Sequence, residues 1–415
     1  MASGITVVQL GARRHYAVPR ILDAAGMLDR LYVDLCAVKG FPRWLARIPP
    51  ERRPGALGRL LDRVPQGISA DRIGSFDAFG LQFFARQRFQ RNDSDDARTF
   101  LWAGAKLCKL AIRRFERDGG ADSAAYYGFH GSALELLRYA RQRGRLGIVD
   151  QCIAPYRVAR ELIVEEGERF PEWEAKADSG AAGERYAERE EAEWAEADLI
   201  LCGSEFVRDG IGQRGGPVER CAVVPYGTDP QFAQSRRSRP HGGPLRVLTV
   251  GAVGVRKGAP YVLEAARRMG PRAHFRMVGA LEADPSIVSP LREHVEWVGV
   301  VPRSQTLEHY AWADVLLLPS LCEGSAGATN EALAAGLPVI TTHNTGSVVR
   351  DGHDGFVVPI RDVDAIVEAL ERVRVDPEFH RELCRNAEAR LPEVSFPGYA
   401  DRLISRVTQA VEGGP

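Results

Sequence analysis

The 415 residues hold 55 basic and 55 acidic side chains, and this balance gives no footing for a nucleic-acid or polyanionic partner. The length accommodates two domains of ordinary size, while no stretch approaches the ~18 uninterrupted apolar residues of a membrane span. The opening MASGITVVQL lacks a basic n-region and a long apolar core, so a soluble cytoplasmic protein without an export signal is expected. Seven cysteines, an odd number without a C-x-x-C pair, read as reduced core thiols. No H-E-x-x-H pattern occurs, and no metal and no cofactor is expected.

Residues 5–10 are a β-rich run leading into Gly11, Ala12, Arg13, Arg14, His15 and Tyr16, then a helical segment that ends near Gly26. This is a Rossmann-like opening without G-x-G-x-x-G, so a dinucleotide cofactor is unsupported. His15 and the arginines either line a ligand site or are solvated. From residue 39 to 72, prolines and arginines mix with Trp44, Leu45, Ile48, Leu57, Leu60 and Leu61. Two readings stand: a basic helical insertion packed on its own domain, or a surface lying on an anionic membrane. Asp93-Ser94-Asp95 fits a surface turn better than a cation site, because no apolar strand precedes it.

Residues 124–129 are a strand candidate, and Ser132 with Glu135 forms a capping-box pattern that opens a helix towards Gly144. His130 therefore sits at a strand's carboxyl end, as a cleft residue or as a structural loop histidine. Residues 146–152 make the next strand, with Asp150 near its end to assist an acceptor hydroxyl, orient substrate or cap a turn. Residues 156–168 and 183–197 are helical and charged, with spacing for intrahelical pairs, and read as a solvated face. Strands over 198–202 and 221–225 close the first half. The SRRSRPHGGP segment, residues 235–244, is a linker by composition.

The second half restarts with a strand over 246–250 and a loop from Gly251 through Arg256 and Lys257 to Gly258, which lacks the G-K-[ST] ending of a P-loop. Strand-like runs follow over 274–279 and 295–301. Residues 315–342 then compress a strand, a small-residue loop, a helix ending at Gly336 and a second strand into one unit. Glu323, Gly324, Ser325, Ala326 and Gly327 leave little bulk over that helix's N-terminus, where free amides favour an anion such as a diphosphate. Glu323 and Glu331 bracket the loop, seven residues apart.

This last stretch resembles the signature segment of family 4 glycosyltransferases, in which a Glu, seven residues, Glu pattern follows a strand ending in Pro-Ser. The resemblance runs through residues 245–370, thins over 148–229 and fades before that. It implies an α/β chain of GT-B architecture, two Rossmann-like domains facing across a cleft. The division is an acceptor domain over 1–234, a linker over 235–244, a donor domain over 245–395 and a final helix, 396–415, packing back on the first domain. It also implies a retaining transfer of a hexose from a nucleotide sugar to a hydroxyl, in cell-surface polysaccharide or glycolipid assembly. Glu323 would contact the donor hexose, and Glu331 the ribose. Arg256 and Lys257 would neutralise the diphosphate, while Gly251 and the loop amides of Gly324 to Gly327 face sugar and phosphate. Val300 would lie beside the base, His130 would touch sugar or acceptor, and Gly11 and Asp150 would stand on the acceptor side. The implied partners are the nucleotide sugar and a glycan or lipid-linked acceptor, with peripheral contact at the inner face of the membrane as the lipid reading of residues 39–72. A non-catalytic nucleotide-sugar-binding protein, or a phosphorylase or epimerase on the same fold, is the alternative.

Overall fold

The computed structural model describes residues 4–45, 48–49, 58, 60–89, 93–118, 122–173, 180–235 and 243–414. Two wholly parallel sheets divide the chain. The first holds β1 (Ile5–Gln9), β2 (Leu28–Val33), β3 (Ile73–Ser75), β4 (Ala125–Phe129), β5 (Leu146–Gln151), β6 (Leu199–Cys202) and β7 (Cys221–Val223), in the order β3-β2-β1-β4-β5-β6-β7. The second holds β8 (Leu245–Val250), β9 (Ala273–Val278), β10 (Val295–Gly299), β11 (Val315–Leu318), β12 (Val339–Thr342) and β13 (Gly355–Val358), in the order β10-β9-β8-β11-β12-β13. The central strands β1, β4, β5, β11 and β12 are buried at every position, as expected where helices cover both faces.

The strand order reverses between β1 and β4 and again between β8 and β11. Ligands of open parallel sheets bind beyond the carboxyl ends of strands at such reversals. Both reversals open towards one interdomain space.

The last helix, Phe396–Gly413, returns to the first sheet. Tyr399, Leu403 and Val407 lie on one face at four-residue spacing and enter the core that holds Ile5, Val7, Leu22 and Ile148. The crossing is pinned by hydrogen bonds on either side of Ser395, from the Thr228 amide to the Val394 carbonyl (2.8 Å) and from the Phe396 amide to the Thr228 carbonyl (2.8 Å). A reciprocal strap runs the other way. Trp173, which follows the helix Tyr156–Arg169, is buried in the core of the second sheet.

Several elements depart from the sequence reading. Asp93-Ser94-Asp95 is not a turn but opens the helix Asp93–Asp118. Neither charged helix after β5 is a solvated face: Glu166 on Tyr156–Arg169 and Glu190 and Glu193 on Gly180–Glu196 are buried. Glu166 is held by the Tyr261 hydroxyl and the Arg361 guanidinium of the second domain. Ser132 does not cap the helix Leu134–Gln142; its hydroxyl donates to the Phe129 carbonyl, and Glu135 pairs with Arg189 instead. The cap comes from Glu193, whose carboxylate accepts the amides of Gly131 (2.6 Å), Ala133 (2.8 Å) and Leu134 (3.0 Å). Strands β2, β3 and β13 are additions to those expected.

Residues 46–47, 50–57 and 59 of the basic 39–72 segment, Leu57 among them, lie outside the described residues, as does most of the 235–244 linker. Within it, Leu61 and Ile68 are buried and Trp44 is exposed. Among the described residues no helix is long and apolar enough to cross a membrane.

Candidate functional site

The second sheet's reversal brings two loops together. After β8 the chain passes Gly251 at φ +133°, forms one turn over Val255–Lys257 and turns again at Gly258, φ +74°. A Cβ on Gly258 would stand 2.2 Å from the Pro319 carbonyl oxygen, so only glycine lets this loop dock on the end of β11. The docking is completed by the Leu321 amide, which donates to the Arg256 carbonyl at 2.9 Å. As a result Glu323 Oε1 accepts from Arg256 Nη1 at 2.5 Å and lies 3.0 Å from Lys257 Nζ. One carboxylate therefore holds two cations at the carboxyl end of β8 and β11.

Glu331 follows on the helix Gly327–Ala334. Its carboxylate is buried and accepts from the Tyr310 hydroxyl (2.9 Å) and Arg303 Nη2 (3.0 Å). Burial raises its pKa, against the opposing pull of Arg303 and Tyr310. A carboxylate oriented by two donors is suited to accept hydroxyls from a ligand.

The glycine-rich loop serves two purposes. At Gly324 a Cβ would meet the Cys152 carbonyl oxygen at 1.8 Å, so glycine is required for contact with the first domain. At Gly327 a Cβ would meet nothing within 4 Å, and the space there is open. The Ala326 amide is engaged by the Thr345 carbonyl (3.2 Å) and therefore does not face a ligand. Ser325 Oγ accepts the Tyr226 amide at 3.4 Å and Asn330 Nδ2 donates to the Tyr226 carbonyl at 2.7 Å, which ties the halves together.

Across from this loop, the segment after β1 is strained. Gly11 turns at φ +73° and its amide donates to Asp34 (2.9 Å); Arg14, His15 and Tyr16 then occupy the left-handed region at φ +47°, +52° and +59°. For non-glycine residues such geometry costs about 1–3 kcal/mol each, and it concentrates where function requires it. Arg13 and Arg14 line a cavity of about 250 Å³ that Asp150 and Tyr226 share with Glu323, Gly324 and Ser325. Asp150 is buried and accepts from the hydroxyls of Tyr127 (2.8 Å) and Tyr226 (3.0 Å), and burial raises its pKa.

The fold thus gathers Arg256, Lys257 and Glu323 into one cluster and places Asp150 in the same cavity as Glu323. Gly251 backs that cluster, since a Cβ there would lie 3.0 Å from Lys257 Cε. His130 stands behind the cavity wall: it is 4% exposed, its Nδ1 accepts the Cys152 amide at 3.3 Å, and burial, with Arg13 nearby, pushes its pKa down to about 3. Val300 is 76% exposed just beyond β10. Tyr226, which stands where an Asn usually precedes the glycine in the resembled family's turn, lines the same cavity and donates its hydroxyl to Asp150. Among the described residues no group of three His, Cys, Asp or Glu side chains is placed to hold a metal, and the seven cysteines are free thiols.

Residues 244–376 match the family model described as glycosyl transferases group 1. The amylovoran biosynthesis glycosyltransferase AmsK of Erwinia amylovora is 27% identical over 197 residues, covering 43% of this chain and 48% of that protein. The glycogen synthase of Mycobacterium tuberculosis is 28% identical over 207 residues, covering 47% of this chain and 50% of the relative. The chain spans about half the length of the curated relatives it matches. The crystal structure of Anabaena Alr3699/HepE in complex with UDP superposes with a TM-score of 0.62 at 14% identity, covering 99% of this chain and 100% of that one. At that identity the likeness establishes the two-domain architecture, which is GT-B.

Proposed function

We propose that this chain, a GT-B protein whose carboxyl-terminal half is that of a family 4-like glycosyltransferase, moves a hexose from a nucleoside diphosphate sugar to a hydroxyl with retention of configuration. The observation that carries this reading is the Arg256, Lys257 and Glu323 cluster at the second sheet's reversal, opening on the cavity shared with the first domain. Breaking the anomeric bond puts charge on the leaving diphosphate. Fixed cations at its oxygens stabilise that charge without reorganisation. Arg256 and Lys257 are the cations, and a diphosphate entering the loop competes with Glu323 for them. Glu323, released, turns to the hexose, and Glu331 accepts the ribose hydroxyls. The acceptor hydroxyl arrives from the Asp150 side and attacks on the face the leaving group departs, with a phosphate oxygen taking its proton.

The acceptor is a glycan or a lipid-linked sugar in cell-surface polysaccharide assembly, in keeping with the amylovoran biosynthesis role of the Erwinia relative. Peripheral contact with an anionic membrane, at its inner face, fits the exposed Trp44, Leu81, Phe84 and Phe89 beside Arg43, Arg86 and Arg88. Sedimentation with vesicles tests that part: binding that ignores anionic lipid content removes it.

The reading as a whole is tested by thermal unfolding with UDP, GDP, ADP and CMP sugars. A ligand at a hundred times its Kd adds about 2.7 kcal/mol. Stabilisation by one nucleotide class, abolished in Lys257→Ala, is the expected result. No shift with any donor contradicts it.

A further inference from the structure

Arg13 and Arg14 are cations that the transfer chemistry above does not use. Both line the interdomain cavity. Among the described residues neither guanidinium has a carboxylate within 4.0 Å. Arg13 Nε is buried without a hydrogen-bond partner, and the guanidinium lies 5.5 Å over the Phe129 ring. Arg14 is fixed by a bond from Nη2 to the Gly227 carbonyl (2.8 Å) and by stacking 4.0 Å over Tyr226. The two carboxylates that share the cavity are engaged elsewhere: Asp150 accepts two tyrosine hydroxyls, and Glu323 holds Arg256 and Lys257. A left-handed backbone over Arg14, His15 and Tyr16 sustains this placement. Planar guanidinium forks match carboxylate and phosphate oxygens in bidentate fashion.

We propose that Arg13 and Arg14 form an anion subsite, which receives a carboxylate or phosphate carried by a sugar substrate. This rests on the transfer reading for its substrate class but stands on its own geometry. The sugar that meets these arginines, on donor or acceptor, is then an acidic one, a uronic acid or a phosphorylated sugar, in preference to a neutral hexose.

The test is thermal unfolding at matched ionic strength with D-glucuronate, glucose 6-phosphate or D-glucose, each with and without UDP. The anionic sugars are expected to raise the transition by several degrees and glucose to leave it unchanged. Arg13→Gln and Arg14→Gln should each remove at least half of that gain while the UDP shift persists, and Arg13→Lys, which keeps the charge, should retain part of it. Equal response to glucose and glucuronate overturns the proposal. So does a gain that survives both glutamine variants, or one lost only in Lys257→Ala, which would seat the anion on the diphosphate cluster. A further gain with UDP-glucuronate over UDP-glucose, lost in Arg13→Gln, supports the subsite and places the anion on the donor; a gain confined to free acidic sugars supports it and places the anion on the acceptor. A UDP shift without a glucuronate shift sinks the subsite alone. The reverse pattern sinks the transfer reading and leaves the subsite.

Discussion

Glu323 and Lys257 face each other at 3.0 Å with side chains 12% and 13% exposed, so the cation we assign to a diphosphate is already neutralised before any ligand arrives. Removing one partner of such a shielded pair leaves the other uncompensated. Glu323→Gln should therefore leave Arg256 and Lys257 unmasked. UDP is expected to bind as tightly as before or more tightly, while turnover falls about a hundredfold. Calorimetric titration beside a turnover assay reads both; weakened UDP binding with normal turnover contradicts the assignment.

Glu331 is set apart from the Arg256, Lys257 and Glu323 cluster by its own donors, Tyr310 and Arg303. Hydrogen bonds to a charged group contribute about 1.5–3 kcal/mol, which corresponds to roughly tenfold to a hundredfold in affinity. Glu331→Ala should weaken UDP by that factor and leave pyrophosphate unaffected. Equal loss for both ligands would move Glu331 away from the nucleoside.

Two glycines of one loop should respond in opposite ways. Gly324→Ala places a methyl group 1.8 Å from the Cys152 carbonyl and forces the domains apart, whereas Gly327→Ala enters open space. The first variant should lose most activity and show a larger radius in small-angle scattering. The second should fold with unchanged dimensions. An unaltered Gly324→Ala protein would show that the interdomain contact is not maintained in solution.

Burial pushes Glu190 up to about 8, although it accepts from Gln151 Nε2 and the Tyr156 amide, both at 2.7 Å. Its folded value lies above the unfolded one, so between roughly pH 4.5 and 8 the folded chain binds more protons and stability falls as pH rises. The transition temperature should drop from pH 5.5 to 8.5, and Glu190→Gln should flatten that drop. A wild-type transition that climbs across the window, or a variant with the same slope, refutes it. Glu193, pushed up to about 7 by burial, adds a residual slope.

Much of this architecture was legible in the residues. The apolar runs of β11 and β12 and the left-handed Gly336, at φ +66°, are local facts, and local chemistry decides them. The Glu323 and Lys257 meeting was legible only through resemblance, because 66 residues separate them and nothing in either loop names the other. β2 escaped notice since Asp29 and Arg30 interrupt its apolar pattern. The charged helix Gly180–Glu196 looked solvated because a glutamate that caps a distant helix has the same letter as one that faces water. Three non-glycine residues in the left-handed region leave no sequence trace, so the direction of Arg13 and Arg14 could only emerge from the fold.

The most direct test follows a donor sugar by proton NMR, with the nucleotide sugar that stabilises the protein and water as the slow acceptor. The account predicts release of the hexose with the donor's anomeric configuration in the first product, and no release by Lys257→Ala. A nucleotide sugar that binds and is never consumed, with any acceptor sugar supplied, or a first product of inverted configuration, would contradict the claim that this cluster drives retaining transfer.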